Sequence, residues 1–398
     1  MKEFDVAIIG GGLAGCSAAY YLSKFGARVV VLEKGDINQG ASGRNAGSLH
    51  FQLEYRLIRH YDRLKEQLSH LIPFTRIAMA DWRGLEAELG ESVELSLGGG
   101  FMVAESADEA ALLETKAAFE NRHGLEVSFM SGDVARRQAP YLSSTIRAAL
   151  FCADEGHCNP RLVTPAFLRA ARRLGAKVRP RTEVRMIEKH GDRWRIGAHS
   201  LDAPSPYREE VICGAVLNVA GAWAGEITAL AGAHLPVYPV GLTMNVTEEA
   251  PPFMHGMVQH VGRRLSMKQV EAGNVLIGGG CPARLAYENG WRIEQPTIIP
   301  DVVVENLRTA ADIAPAIRDL KLLRSWAGVT GVTPDQLPII GEIRQLPGFY
   351  VATGGAGFTF GPTYSRLVSE IIVKGEASYP LTPFSPDRFD HINMFMGR

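Results

Sequence analysis

The sequence predicts an α/β protein: a discontinuous, Rossmann-like nucleotide domain plus a second domain with a mainly antiparallel sheet and helices. Three observations carry this. An apolar, β-branched run over 4–9 leads directly into Gly10-Gly11-Gly12-Leu13-Ala14-Gly15. The same grammar returns near the end, where 349–353 reads as a strand, Gly354 to Gly357 as a loop and 362–374 as a helix closed by Gly375. Between them, 257–260, 265–270 and 274–278 alternate like antiparallel strands, with Ala272-Gly273 at a turn. At 398 residues the chain exceeds one ordinary core. The nucleotide domain is therefore expected in three pieces, 1–85, 146–225 and 324–398, and the second domain in two, 86–145 and 226–323.

Each element has a local reason. Residues 4–9 are apolar on both faces, as a buried parallel strand requires. Gly10 permits a tight turn, Gly12 lets backbone N–H groups approach a pyrophosphate, and Gly15 lets the next helix sit close to the sheet. Ala14, Ala18 and Ala19 keep that helix slim where it packs, Gly26 stops it, and 28–32 is the second strand. Glu33 then stands where a carboxylate can hydrogen-bond a ribose. Leu57, Tyr61, Leu64, Leu68 and Leu71 recur at helical spacing and predict an amphipathic helix over 54–72. Further helices are expected over 75–89, ending at Gly90, and 107–123. Asn159-Pro160 reads as an N-cap with Pro at the first helical position, starting a helix towards Gly175. Strands are expected near 182–187 and 193–197.

The bulk numbers exclude several classes. With 42 basic and 43 acidic side chains the charge is balanced, so there is no electrostatic footprint for nucleic acid. No uniformly apolar stretch is long enough for a transmembrane helix. The first strand starts at residue 4, which leaves no room for a secretory leader, and a cytoplasmic protein is expected. The five cysteines, Cys16, Cys152, Cys158, Cys213 and Cys281, lack metal-ligand spacing and read as reduced core thiols; no metal is expected.

A second glycine-rich segment decides the cofactor. Gly40-Ala41-Ser42-Gly43-Arg44-Asn45-Ala46-Gly47-Ser48 follows Glu33-Lys34. A nicotinamide enzyme has no need of it, whereas FAD lies extended, so the chain after the ribose acid must follow its pyrophosphate to the isoalloxazine. Ser42, Arg44 and Asn45 supply donors there, and Gly47 and Ser48 permit close approach. A third segment, Gly354 to Thr359, opens the last helix. Its backbone N–H groups and the helix dipole suit the negative charge that gathers at flavin N1 and C2=O on reduction.

With these segments the chain resembles the FAD-dependent D-amino acid oxidase/glycine oxidase/sarcosine oxidase superfamily. The likeness extends through Asn218-Val-Ala220-Gly221-Ala-Trp223, Trp326-Ala-Gly328, Thr333-Pro-Asp335, Pro338-Ile-Ile-Gly341 and Gly354-Gly355-Ala-Gly357-Phe358-Thr359. It implies that Ala220, Gly221 and Trp223 run along the pyrophosphate and ribityl chain. It also implies that the Val184 backbone holds adenine and that the Gly354–Thr359 loop covers the flavin edge. The segments 265–269, 278–283 and 383–389 look most like β-subunits of heteromeric opine oxidases, D-hydroxyproline dehydrogenase and cyanide-forming glycine dehydrogenase. That closer likeness implies a second flavoprotein-type α-subunit and a small iron–sulfur γ-subunit. An FMN at a subunit interface, and a [2Fe–2S] cluster held only by a partner, belong to the same implication. The tail around Asp387-Arg388-Phe389 is expected to present an aromatic and mixed charge to such partners.

One departure bears on the substrate. Simple amino acid oxidases of this superfamily carry a carboxylate-clamping Arg two residues after the Gly of the Trp-Ala-Gly segment, where this chain has Thr330. Arg264, Lys268 and Arg284 are candidates to replace it. His50, Tyr55 and His260 are further candidates for the substrate cavity, although a lone His or Tyr near a helix is more often a satisfied core residue. No general base is assigned, because a neutral amine can lose its α-hydrogen to flavin without one. The expected activity is oxidation of a small secondary amine of opine type to an imine, which water splits into an amino acid and a 2-oxo acid. The alternatives are a D-amino acid, D-hydroxyproline or glycine dehydrogenase, a non-catalytic FAD subunit, and an RNA-modification module.

Overall fold

Among the described residues, two eight-stranded sheets carry the architecture. The computed structural model describes residues 2–202, 208–288, 291–292 and 295–390. In the first sheet the order is Pro338–Glu342, Phe349–Gly354, Arg208–Asn218, Lys2–Ile9, Val29–Leu32 and Lys177–Arg179, with the hairpin Thr182–His190/Arg193–Ser200 joined to Arg208–Asn218. Its central pairs are parallel: Lys2–Ile9 runs alongside both Arg208–Asn218 and Val29–Leu32. This is the crossover geometry the opening motif demands, and the helix Leu13–Lys24 supplies the connection. The closing helix Gly361–Lys374 packs on that first helix, with Ser365 Oγ donating to Ala14 C=O at 2.9 Å. Residues from opposite ends of the chain thus build one layer.

The second sheet runs Leu322–Val332, Tyr238–Glu249, Asn274–Gly278, Ser266–Gln269, Met257–His260, Gly100–Ala104, Ala148–Cys152 and Ser128–Ser131. All neighbours are antiparallel except Met257–His260 with Gly100–Ala104. One face packs Val258, Met267, Val275 and Ile277 against Ala310 and Ile313 of the helix Pro300–Ile313. Alternation then sends Gln259, Ser266 and Lys268 to the other face. All five cysteines are free and buried, distributed over both sheets and their helices.

Four expectations need correction. Ala148–Cys152 and most of Leu322–Val332 fall in the ranges expected for the nucleotide domain, yet both pair in the second sheet. The helices expected over 54–72 and 75–89 are a short turn, Tyr55–Ile58, and one 29-residue helix, Tyr61–Leu89, that runs through Pro73. Its apolar stripe (Leu68, Leu71, Ile72, Thr75, Ala78, Met79 and Trp82) is buried without a break, so packing outweighs the lost hydrogen bond at Pro73. Gly90 ends it in the left-handed conformation, φ 72°. Finally, the tail does not present its aromatic: Phe389 is buried against the first sheet's core.

Candidate active site

The glycine turn is built for a close-lying phosphate. Gly10 has φ 114°, and a Cβ on it would stand 2.7 Å from Val219 C=O. A Cβ on Gly15 would run into the Gly10 carbonyl, so neither position accepts a side chain. Among the described residues, the N–H groups of Gly12, Ala14 and Gly15 have no protein acceptor, while Leu13 N–H donates to Ser42 Oγ at 2.9 Å. Unpaired N–H groups at the start of a 12-residue helix form an anion cradle. Glu33 closes the turn, taking Gly11 N–H at 2.6 Å and Gly35 N–H at 2.7 Å. Lys34 pairs with Glu183 at 3.2 Å, next to Val184, which is buried on the Thr182–His190 strand. The Ala220–Trp223 turn abuts Gly10, with Asn218 fixing it through Ala220 N–H, Ala224 C=O and Thr228 Oγ1.

The second segment folds as a short helical turn, Ala41–Arg44, then a two-residue strand, Ser48–Leu49, paired with Gly156–His157. Asn45 spends its side chain on its own turn, donating to Ala41 and Ser42 C=O and accepting Gly47 N–H. Gly47 has φ 74°, and a Cβ there would run into Cys158 C=O. Arg44 lies across Gly328, with Nη1 donating to Ala327 C=O at 3.3 Å, while Trp326 Nε1 donates to Arg44 C=O at 2.7 Å. In the third segment Gly354 and Gly355 are left-handed, and no described residue accepts the N–H groups of Gly355, Ala356, Gly357, Phe358 or Thr359. Thr359 C=O takes Trp82 Nε1–H at 2.7 Å, and Trp82 packs on Phe358.

Segments two and three meet at His50. Its backbone N–H donates to Thr359 Oγ1 at 3.3 Å and its Nε2 lies 3.2 Å from Ser266 Oγ on the second sheet. Its Nδ1 is buried without a partner. A cleft open to solvent borders His50, Glu54, Thr333, Gln336, Gly355 and Ala356. Lys268, two residues beyond Ser266 on the same strand face, is 1% exposed and its Nζ has no hydrogen-bond partner. Burial pulls its pKa down to about 7. Its neighbour His157 is pushed down to about 3, by burial first and by the Lys268 charge second.

The other substrate candidates are placed elsewhere. His260 Nδ1 accepts Gly262 and Arg263 N–H at 2.9 and 2.8 Å, so the proton is on Nε2, which faces Glu105 at 3.4 Å. It is the structural histidine of its own turn. Tyr55 bonds Arg59 at the surface, with the guanidinium over its ring. Arg264 and Arg284 are exposed. Thr330 is half-buried, paired with Val240 one strand repeat from Gly328.

One group of residues went unread in the sequence and another was read differently. Glu155, Gln52, Lys116 and Glu120 form a fully buried network: Glu155 Oε1 takes Phe51 and Gln52 N–H at 2.9 and 3.0 Å, and Glu120 takes Leu53 N–H at 2.6 Å. Lys116 joins Glu120 at 2.6 Å to Gln52 Oε1 at 3.0 Å. Burial raises the Glu120 pKa against the pull of Lys116. The second group is the tail. Arg388 grips Asp335 at 2.8 and 3.2 Å and reaches Phe384 and Leu337 C=O, bracing the Thr333–Leu337 turn. That turn touches the Gly354–Thr359 loop, since a Cβ on Gly354 would stand 2.5 Å from Thr333 Cγ2. The helix expected over 107–123 is present as Ala107–Arg122, opened by the capping box Ser106/Glu109, but nothing in its spacing marks Lys116 and Glu120 as buried.

Residues 5–371 match the family described as FAD dependent oxidoreductase. The chain belongs to that family. The oxidoreductase is 28% identical over 395 residues to a glycine oxidase of Geobacillus kaustophilus, covering 97% of each chain. It is 25% identical to one of the subunits of an opine oxidase from Rhizobium meliloti, covering 98% of this chain and 99% of the relative. Among solved structures, L-proline dehydrogenase from P. horikoshii superposes with TM-score 0.83 at 25% identity over 98% of both chains. It is an FAD-dependent oxidoreductase acting on amine C–N bonds, of the D-amino acid oxidase type. The cradle of unpaired N–H groups at Gly12–Gly15, the clash-free glycines and the open N–H run at Gly355–Thr359 fit FAD. Among the described residues no helix is long and apolar enough to cross a membrane.

Proposed function

We propose that this chain is the FAD-containing catalytic β-subunit of a heteromeric opine-type dehydrogenase. When bound, FAD supplies the two-electron acceptor for the hydrogen on the substrate α-carbon. The Gly10–Gly15 turn, Ser42 and the Ala220–Trp223 turn would hold its pyrophosphate and ribityl chain, Glu33 its ribose, Val184 its adenine, and Arg44, Gly47, Ser48 and the Gly354–Thr359 loop its ring. The first sheet and its helices serve as the cofactor domain, the second sheet as the substrate domain.

The observation that carries the substrate reading is Lys268: a fully buried amine without a partner, on the sheet face that presents Ser266 to His50. A buried cation is costly unless an anion joins it. With Thr330 in place of the clamping arginine, Lys268 replaces it by pairing a substrate carboxylate, and thereby holds the α-carbon in place. Arg264, exposed at the strand turn, would meet a second carboxylate only near the mouth. His50, with its free Nδ1, orients the amine; Tyr55 and His260 take no part. The neutral amine loses its α-hydrogen, and the resulting imine is hydrolysed to an amino acid and a 2-oxo acid. Full-length likeness to a component of an opine oxidase supports a multi-subunit enzyme; the partners proposed for it are a second flavoprotein-type α-subunit and an iron–sulfur γ-subunit that holds the [2Fe–2S] cluster, with an FMN at the interface.

The test is dye-linked turnover by the co-expressed complex on opines, D-amino acids, sarcosine and glycine. An N-substituted dicarboxylate amine is expected to turn over best. Preference for glycine or a D-amino acid would transfer the assignment to a simple amino acid dehydrogenase, the reading that the 28% likeness to a glycine oxidase favours.

A further inference from the structure

We propose that Glu155 is a positioning residue of this active site, acting through the backbone of residues 51–53 to fix His50. The inference rests on the reading of His50 as a substrate-facing group. Glu155 lies in the turn between Ala148–Cys152 and Gly156–His157, fully buried. Its two oxygens serve Phe51 N–H, Gln52 N–H, the Gln52 amide at 3.0 Å and the Gln259 amide at 3.5 Å. Four donors thus converge on this one carboxyl group.

The polarity of the network is fixed at both ends. Lys116 is donor-only, so the Gln52 oxygen must face it; Glu155 is acceptor-only, so the Gln52 amide nitrogen must face Glu155. That nitrogen also reaches Gly100 C=O at 3.1 Å. Glu120 anchors the far end and takes the next backbone donor, Leu53 N–H. Three consecutive N–H groups, 51 to 53, therefore terminate on two carboxylates supplied by the second-sheet side of the molecule. Gly100 is part of the device, because a Cβ there would occupy the place of Glu155 Oε2. Immediately before these three residues, His50 N–H is held by Thr359 and its ring by Ser266. The imidazole is thus located by a backbone that cannot slide, and its Nδ1 stays uncommitted.

Glu155→Gln keeps the size but sets an NH₂ against a donor. Gln52 cannot relieve this by flipping, since the flip would point its NH₂ at Lys116. The segment must shift, and displacements of this size cost ~10- to ~100-fold in turnover. The test uses the FAD-loaded complex purified with its partners and compares wild type, Glu155→Gln, His50→Ala and the double variant. The expected result is unchanged FAD content, a kcat for Glu155→Gln lowered within that range, and no additional loss when Glu155→Gln is placed on His50→Ala. Wild-type kcat in Glu155→Gln, or losses that multiply fully in the double variant, would overturn the proposal. If Glu155→Gln does not fold, Glu120→Gln enters the same cycle under the same criteria, with a smaller expected loss. The cycle is run on whichever amine the wild type prefers, so a wrong substrate leaves it intact. A colourless wild type overturns both this inference and the functional reading.

Discussion

The two halves of the proposed active site are made of different material. The cofactor half is backbone: among the described residues the N–H groups of Gly12, Ala14, Gly15 and Gly355–Thr359 have no protein acceptor, and Gly10, Gly15, Gly354 and Gly355 have no room for a Cβ. The substrate half is side chain: Lys268, His50, Ser266 and the buried Glu155–Gln52–Lys116–Glu120 network. A backbone site is encoded locally, since one strand, one turn and one helix suffice. A side-chain site of buried charges is encoded only by the fold, because its members come from residues 50 to 268 and meet through sheet register.

The sharpest way to break that contrast is Gly15→Val. A side chain there meets the Gly10 carbonyl, so FAD affinity should fall by more than ~100-fold, over ~2.7 kcal/mol. Flavin absorbance after gel filtration reads the loss, and a yellow, stoichiometric variant would show that the turn tolerates what its geometry forbids.

Lys268→Met probes the other half and should act on substrate instead. Losing a buried charge partner is expected to cost on the order of 2–5 kcal/mol, seen in the Michaelis constant with FAD content unchanged. The same residue carries a pH signature. Its folded pKa, about 7, lies below the ordinary lysine value, so between them the unfolded chain binds the extra proton. Stability of the substrate-free protein should therefore rise with pH above 7, by up to ~1.4 kcal/mol per unit, and flatten below 7. Denaturant titrations from pH 7 to 8.5 should show this slope in the wild type and not in Lys268→Met. Equal slopes would mean that Lys268 is not the titrating group.

Arg388→Ala tests whether the tail braces the cofactor half from behind. The pair with Asp335 is only 16% exposed on each side, so a stability loss of about 1–3 kcal/mol is expected, with weaker FAD retention on dilution. An unchanged melting temperature would reduce the tail to packing by Phe389. The smallest effect is expected at Arg264, whose exposed side chain should tolerate Ala within ~0.5 kcal/mol of wild-type stability and with a minor rise in the Michaelis constant. A loss as large as that of Lys268→Met would move the carboxylate site to the mouth.

Legibility followed the same division. The opening crossover, the stop at Gly26, the N-cap at Asn159 and the terminal strand–loop–helix were readable because each depends on a few adjacent residues. The family, too, was readable from those segments. The long strands Arg208–Asn218, Tyr238–Glu249 and Leu322–Val332 went unread, although Val240, Leu242, Met244 and Val246 alternate with small or polar residues; which strands they pair with is set by the fold and not by spacing. Pro73 misled because a breaker signal is local while the stripe that overrules it is not. His260 looked like a site residue and is a turn residue; Glu155 and Glu120 drew no attention in the sequence and are buried. In each case only register and burial distinguish the two, and neither is written in spacing.

Five unpaired thiols, each enclosed and each with a pKa raised by burial, give the molecule a built-in set of opening reporters. Cys16 sits on the first helix of the dinucleotide turn, Cys213 in the parallel sheet, Cys152 in the second sheet, Cys158 behind Gly47, and Cys281 near the strand turn at Arg264. An alkylating reagent can reach each one only when its surroundings part. Pulse alkylation followed by peptide mass analysis would then time, at five addresses in one chain, which part of the flavoprotein loosens first when the cofactor leaves.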